Sequence, residues 1–131
     1  PLYAGIMAIM VASGLMGTVT DFFVTMGSQD TIPVLTMLSA GVVNLFIPSG
    51  GGQWAIQAPI AIESGLQSGV PQGTMVMAVA YGDQLTNMLQ PFWALPLLAI
   101  TGVRARDIVG YTAIIMIAAG IWMGIGLLFF G

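Results

Sequence analysis

Two short polar stretches hold what chemistry this chain has to offer. The first is Pro48-Ser49-Gly50-Gly51-Gly52-Gln53, a glycine-rich break inside a run, residues 32–62, that carries no charge. Three successive glycines expose backbone N–H groups and let a ligand or another chain come close. A helix starting near Gln53 or Trp54 adds a partial positive charge, about half an elementary charge, at the same place. That combination suits a carboxylate in a setting without basic side chains. Ser49 and Gln53 add neutral hydrogen-bonding groups, and Gln53, Gln57 and Ser64 recur near helical spacing. Asn44 lies a little over one helical turn before the break.

The second stretch is Gly82-Asp83-Gln84-Leu85-Thr86-Asn87. Asp83 is the only acid within the apolar part of the chain. A charge at membrane depth costs at least ~2.5 kcal/mol on insertion scales, so it needs a cation, a proton or water. Asp83, Thr86, Asn87 and Gln90 share one face of a helix, and their oxygens suit Na⁺ or H⁺. The expected site therefore has Ser49, Gly50, Gly51, Gly52, Gln53 and Asn87 on the substrate. Asp83, Thr86 and Asn44 serve the coupling ion. The plainer alternatives are a glycine-mediated helix contact at the first stretch and a helix cap at Asp83.

Other chemistry is excluded by composition. The chain has no His and no Cys, which removes disulfides, Cys nucleophiles, His bases and the usual zinc sites. Ser49 has no His or Lys to serve as its base. The glycine stretch lacks the Lys and Ser/Thr that complete a phosphate loop. A net charge of −3 with only two basic residues gives no footprint for nucleic acid. No cofactor is expected beyond the coupling ion.

The elements that position these stretches are membrane elements. Hydrophobic residues make up 57% and charged residues 5% of the 131 residues. Mean hydropathy is +0.97. Soluble domains carry roughly 25% charged residues, so most of this surface must face lipid. Residues 2–20 read as a first span, weakened by Ser13, Gly14 and Gly17, with Phe22 and Phe23 at the interface. The arms flanking the glycine break, residues 33–47 and 54–67, are each only about 21–22 Å long at ~1.5 Å per residue. That is short of a ~30 Å hydrocarbon core. They read as a re-entrant helical hairpin with residues 49–53 at its tip, the alternative being a kinked helix or two short tilted spans. Residues 74–81, 82–87 and 88–100 read as a discontinuous helix: half-helix, polar unwound stretch, half-helix with Pro91 and Pro96. Residues 108–130 form a clean final span, where Gly120 and Gly124 predict close helix packing. Asp21, Asp30, Glu63 and Asp107 read as interfacial charges.

Arg104 and Arg106 place their loop in the cytoplasm by the positive-inside rule. The last helix then runs outward, the hairpin enters and leaves from outside, and the first helix runs outward from a cytoplasmic Pro1. The fold class is an all-α polytopic membrane protein. It has the order of one inverted-repeat half of a secondary transporter: span, re-entrant hairpin, discontinuous helix, span. Residues 1–131 read as a C-terminal transmembrane repeat whose N-terminal partner repeat lies elsewhere in a longer protein.

At the two stretches the sequence becomes specific. Asn44-Leu45-Phe46-Ile47-Pro48-Ser49-Gly50-Gly51-Gly52-Gln53-Trp54-Ala55-Ile56-Gln57-Ala58-Pro59-Ile60 resembles the signature of the bacterial short-chain fatty acid transporter family. Ala80-Tyr81-Gly82-Asp83-Gln84-Leu85-Thr86-Asn87-Met88-Leu89-Gln90-Pro91-Phe92-Trp93 is similar to the family's second motif, and the likeness continues to Tyr111. The wider ion-transporter superfamily, with dicarboxylate and basic amino-acid carriers, shares the Asn-x-Phe-x-Pro-Ser-Gly and Gly-Asp-x-x-Thr-Asn positions. Trp54 and Gln90-Pro91-Phe92-Trp93 favour the fatty-acid branch. The resemblance implies a multi-pass inner-membrane carrier of short acids such as acetoacetate or butyrate, with paired hairpins in an elevator-like or rocking fold. It implies that residues 49–53 and 83–87 line the substrate and ion sites. The partners expected are the carboxylate substrate, the bilayer, the N-terminal half of the same protein and, as an option, a second copy in a homodimer. A dicarboxylate or amino-acid carrier, or a non-transporting membrane subunit, stands as the alternative.

Overall fold

The computed structural model describes residues 5, 8, 9, 11–90 and 94–130, and these are helical wherever they form regular structure. The helices are α1 (Leu15–Thr25), α2 (Ile32–Phe46), α3 (Gly50–Ser68), α4 (Gln72–Asn87), α5 (Leu95–Thr101) and α6 (Ala105–Phe130).

The first expected span is not one uninterrupted helix. Gly14 takes φ +70°, a left-handed conformation open to glycine, and α1 begins one residue later. It continues past Asp21 to Thr25. Much of residues 1–10 lies outside the described residues.

Helix α2 is the centre of the fold. It starts with Pro33 in its first turn, where a missing N–H costs nothing. Thr36, Met37, Ser39, Ala40, Gly41, Val43 and Asn44 are all buried along it. Pro48 ends it. The residue before a proline is pushed out of the helical region, and Ile47 sits at φ −125°, ψ 79°. Ser49 is extended and caps the next helix, its Oγ accepting from Gly52 N at 3.3 Å.

The glycines themselves form a helix, not a loop. Gly50 to Gln53 are the first turn of α3, so the break is confined to Ile47, Pro48 and Ser49. The Ser49 cap offsets part of the three glycines' helix penalty, roughly 1 kcal/mol each. Including that turn, α3 has 19 residues, about 28 Å at ~1.5 Å per residue. Only α2, at 15 residues, keeps the shortness expected of both arms. The two arms do fold back on each other: Val43 and Ile47 of the first pack with Ile56 of the second.

Helix α3 ends at Gly69, left-handed at φ +73°, with Val70 N donating to Gly65 O at 2.9 Å. Helix α4 then runs back along α2. Their crossing is set by Gly82: a Cβ there would overlap Met37 O, Ala40 Cβ and Gly41 N. The polar stretch 82–87 is therefore helical, and the expected unwinding at these residues does not occur. Their side chains find partners on α2 without opening the backbone. Interruption comes later, in a turn at Met88 and Leu89, before α5; Pro91, Phe92 and Trp93 lie outside the described residues.

Helix α6 has 26 residues and is the one described helix long and apolar enough to cross a membrane. Gly124 is buried against Met37, and Gly120 faces Leu85. The GxxxG pair is thus the face by which α6 packs on α2 and α4. The opposite face, with Ile115, Trp122 and Phe129, is exposed. Asp21, Asp30, Glu63 and Asp107 are all exposed, and Asp107 pairs with Arg104 at 2.9 Å.

Candidate functional site

The fold brings the two polar stretches together on either side of Asp83. One side is a hydrogen-bonded cluster between α2 and α4. Asn44, fully buried, donates through Nδ2 to Asp83 O, Thr86 Oγ1 and Asn87 Oδ1, each at 2.9 Å. Two hydrogens serve three acceptors, so one bond is shared. Thr86 Oγ1 in turn donates to Gly41 O at 3.0 Å. Asn87 Nδ2 donates to Asp83 Oδ2 at 3.3 Å, and Gln90 Nε2 to Asn44 O at 3.3 Å. Asn44 Oδ1 and Asp83 Oδ1 remain buried without a partner. A buried polar atom left unsatisfied costs about 1–3 kcal/mol, so these oxygens are poised to accept a donor.

The other side is the mouth of α3. A Cβ on Gly50 would stand 3.8 Å from Asp83 Oδ2 and 4.0 Å from Oδ1, so the carboxylate fronts the first turn of α3. Helix geometry leaves the N–H groups of Gly50 and Gly51 without an intrahelical acceptor, while Gly52 N is held by Ser49. Nothing lies within 4 Å of a Cβ built on Gly51. A cavity of about 240 Å³ opens here, lined by Gly50, Gln53, Trp54, Val79, Ala80 and Asp83. It has an aromatic and aliphatic wall, a helix N-terminus and one carboxylate. Two larger grooves beside α6 contain none of the residues expected at the site.

Gln53 stands differently from expectation. It is 1% exposed, and its Nε2 donates to Ala40 O at 2.8 Å and to Gln57 Oε1 at 3.0 Å. Gln57 Nε2 donates to Ser39 Oγ at 3.0 Å, which donates to Thr36 O at 2.9 Å. This buried ladder ties α3 to α2 along the hairpin. Within the ladder Thr36 Oγ1 and Gln53 Oε1 are left without a partner, and Gln53 lines the cavity. The Gln53 and Gln57 spacing was a visible signal of a polar face, but nothing in the sequence marked Ser39 or Thr36 as its counterpart.

Gly50, Gln53 and Asp83 thus share the cavity, Asn44, Thr86 and Asn87 hold Asp83 from behind, and Ser49 is committed to capping. These are the residues of the two motifs. The sequence model of the family described as "Short chain fatty acid transporter" matches residues 1–130. The chain belongs to the short-chain fatty acid transporter family. It is 48% identical over 130 residues to an Escherichia coli (strain K12) protein and 47% identical over 120 residues to one from Haemophilus influenzae (strain ATCC 51907 / DSM 11121 / KW20 / Rd). Both carry the name "Putative short-chain fatty acid transporter". These alignments cover 99% and 90% of this chain but 30% and 27% of theirs, so it spans under a third of their length. No solved structure matches it. Within this transporter family the helical, lipid-compatible surface of α6 has a ready reason: a transporter resides in a membrane.

Proposed function

We propose that this chain supplies one half of the translocation site of a secondary transporter for short-chain fatty acids, monocarboxylates such as acetoacetate and butyrate, in the bacterial cytoplasmic membrane. The observation that carries the reading is the cavity between the α3 N-terminus and Asp83. It joins both motif stretches, and its chemistry matches the ligand class. Free N–H groups at Gly50 and Gly51 and the helix dipole favour a carboxylate, and Trp54, Val79 and Ala80 accept a short alkyl tail. A cavity of about 240 Å³ has room for a tail of a few carbons. Asp83, held by Asn44, Thr86 and Asn87, serves a coupling H⁺ or Na⁺. In this reading α2 and α3 are a re-entrant hairpin, and an inverted repeat elsewhere in the protein completes the site.

The test is saturable uptake of labelled acetoacetate and butyrate by proteoliposomes of the full-length protein, measured above the leak of protein-free vesicles. Unlabelled short monocarboxylates should compete. Competition by dicarboxylates or ornithine instead would move the protein to another branch of the superfamily. A Ser49→Cys variant should react with water-soluble thiol reagents and be protected by butyrate. Absence of both saturable uptake and labelling would leave only a packing role for the glycines.

A further inference from the structure

We infer that the acid is bound together with one proton shared between its own carboxylate and Asp83, which makes the protein a proton symporter at this site. The inference rests on the carboxylate-transport reading above. Three observations lead to it. First, the place that suits the substrate carboxylate, beside Gly50 and Gly51, is the place that Asp83 fronts, within about 4 Å of Gly50's missing side chain. Two carboxylates that close, in a cavity walled by Trp54, Val79 and Ala80, do not both stay ionised; they share a proton.

Second, apart from the N–H groups at the α3 N-terminus, the cavity lining carries unpaired acceptors. Asp83 Oδ1 has no partner, and neither does Oε1 of Gln53, a residue 1% exposed that lines the same cavity. Both oxygens are acceptors, so the occupant must bring a hydrogen or a cation. A free carboxylate brings none, whereas a carboxylate with a proton between it and Asp83 brings one.

Third, three of the neighbouring oxygens are not available to a metal cation. Asp83 O, Thr86 Oγ1 and Asn87 Oδ1 converge at 2.9 Å on Asn44 Nδ2, so an amide donor occupies the position that a cation would take. Nor does a fixed charge neutralise Asp83. Among the elements packed on α4, α2 has no titratable residue, α3 has only Glu63, exposed and bonded to Gln67, and α6 has Arg106, Asp107 and Tyr111, all exposed. On α4 itself, Tyr81 lines a different groove.

The proton comes from solvent and is released to solvent with the acid on the other side, and no covalent bond changes. Linkage then fixes the sign. Where free Asp83 is ionised, butyrate binding takes up one proton, so affinity falls about tenfold per pH unit as pH rises.

The experiment is calorimetric titration of the full-length protein in nanodiscs with sodium or choline butyrate, between pH 6 and 9, in buffers of different ionisation heat. The expected result is about one proton taken up per butyrate at the alkaline end, equal in Na⁺ and choline. Asp83→Asn should bind butyrate with no proton uptake and no pH slope, and Asp83→Glu should restore both. Zero proton uptake by the unmodified protein at every pH, or binding that requires Na⁺, overturns the inference. So does undiminished proton uptake in Asp83→Asn. Absence of butyrate binding in the unmodified protein is a different failure, that of the transport reading itself.

Discussion

Replacing Gly82 by Ala tests how the site is assembled. A single methyl at this position would meet Met37 O, Ala40 Cβ at 2.5 Å and Gly41 N at 2.8 Å. Two of these three atoms are helix backbone and cannot rotate away, so α2 and α4 must separate. Overpacking of this kind costs ~1–3 kcal/mol, and backbone obstruction puts it at the upper end. Alanine returns about 0.5–1 kcal/mol through better helix propensity. The net expectation is a loss of about 2 kcal/mol. Gly73→Ala on the same helix is the control, because nothing lies within 4 Å of its Cβ; it should gain up to ~1 kcal/mol. The two variants should then differ by roughly 3 kcal/mol, about a hundredfold in the unfolding constant. SDS titration of the full-length protein in mixed micelles measures this. Gly82→Ala should also weaken butyrate binding, since Asp83 and Thr86 move with the crossing. Equal stability of the two variants would refute the close crossing, and with it the geometry on which the Asn44 cluster depends.

Other outcomes follow from single contacts. Thr86→Val removes a hydroxyl that bonds both Gly41 O and Asn44 and should cost about 1–3 kcal/mol, while Thr86→Ser should cost much less, both read by the same SDS titration. Gln57→Leu breaks the ladder between Gln53 and Ser39 and should lower stability by roughly 0.6–2 kcal/mol, the range for polar contacts between membrane helices. It should also raise hydrogen exchange at the ends of α2 and α3. Gly51→Leu projects into open space, so it should leave the unfolding midpoint nearly unchanged while reducing butyrate affinity at least tenfold in calorimetry. Arg104→Ala loses an exposed ion pair with Asp107 and should change stability by less than about 1 kcal/mol.

Much of this arrangement was legible in the residues. Pro48 marked the break because proline cannot extend α2, whereas the capping of α3 by Ser49 was not read from the sequence. Asp83, Thr86 and Asn87 declared a polar face because their spacing is helical. The misreadings came from treating local composition as local conformation. Three glycines suggested a loop, but a capped N-terminus holds them in a helix. The stretch from Gly82 to Asn87 suggested unwinding, yet Asn44 and the backbone of α2 satisfy its polar groups from outside. The first outcome is local, set by a cap three residues away; the second is tertiary, set by atoms 39 to 45 residues away. Asn44 was visible as a nearby polar group. Its role as the donor that organises Asp83, Thr86 and Asn87 depends on the Gly82 crossing, which only the packed helices reveal. The turning of Gln53 into the hairpin seam likewise depended on Ser39 and Ala40 lying opposite.

In the proposed function the glycine turn of α3 and Asp83 form one carboxylate site. A structure of the full-length protein with bound 2-bromobutyrate, located by the bromine's anomalous signal, tests it most directly. The carboxylate should lie within about 3 Å of the Gly50 and Gly51 N–H groups, beside Asp83, with the bromine against Trp54 or Val79. Ligand found instead in the groove between Tyr81 and Trp122, with the Gly50 cavity empty, would contradict it.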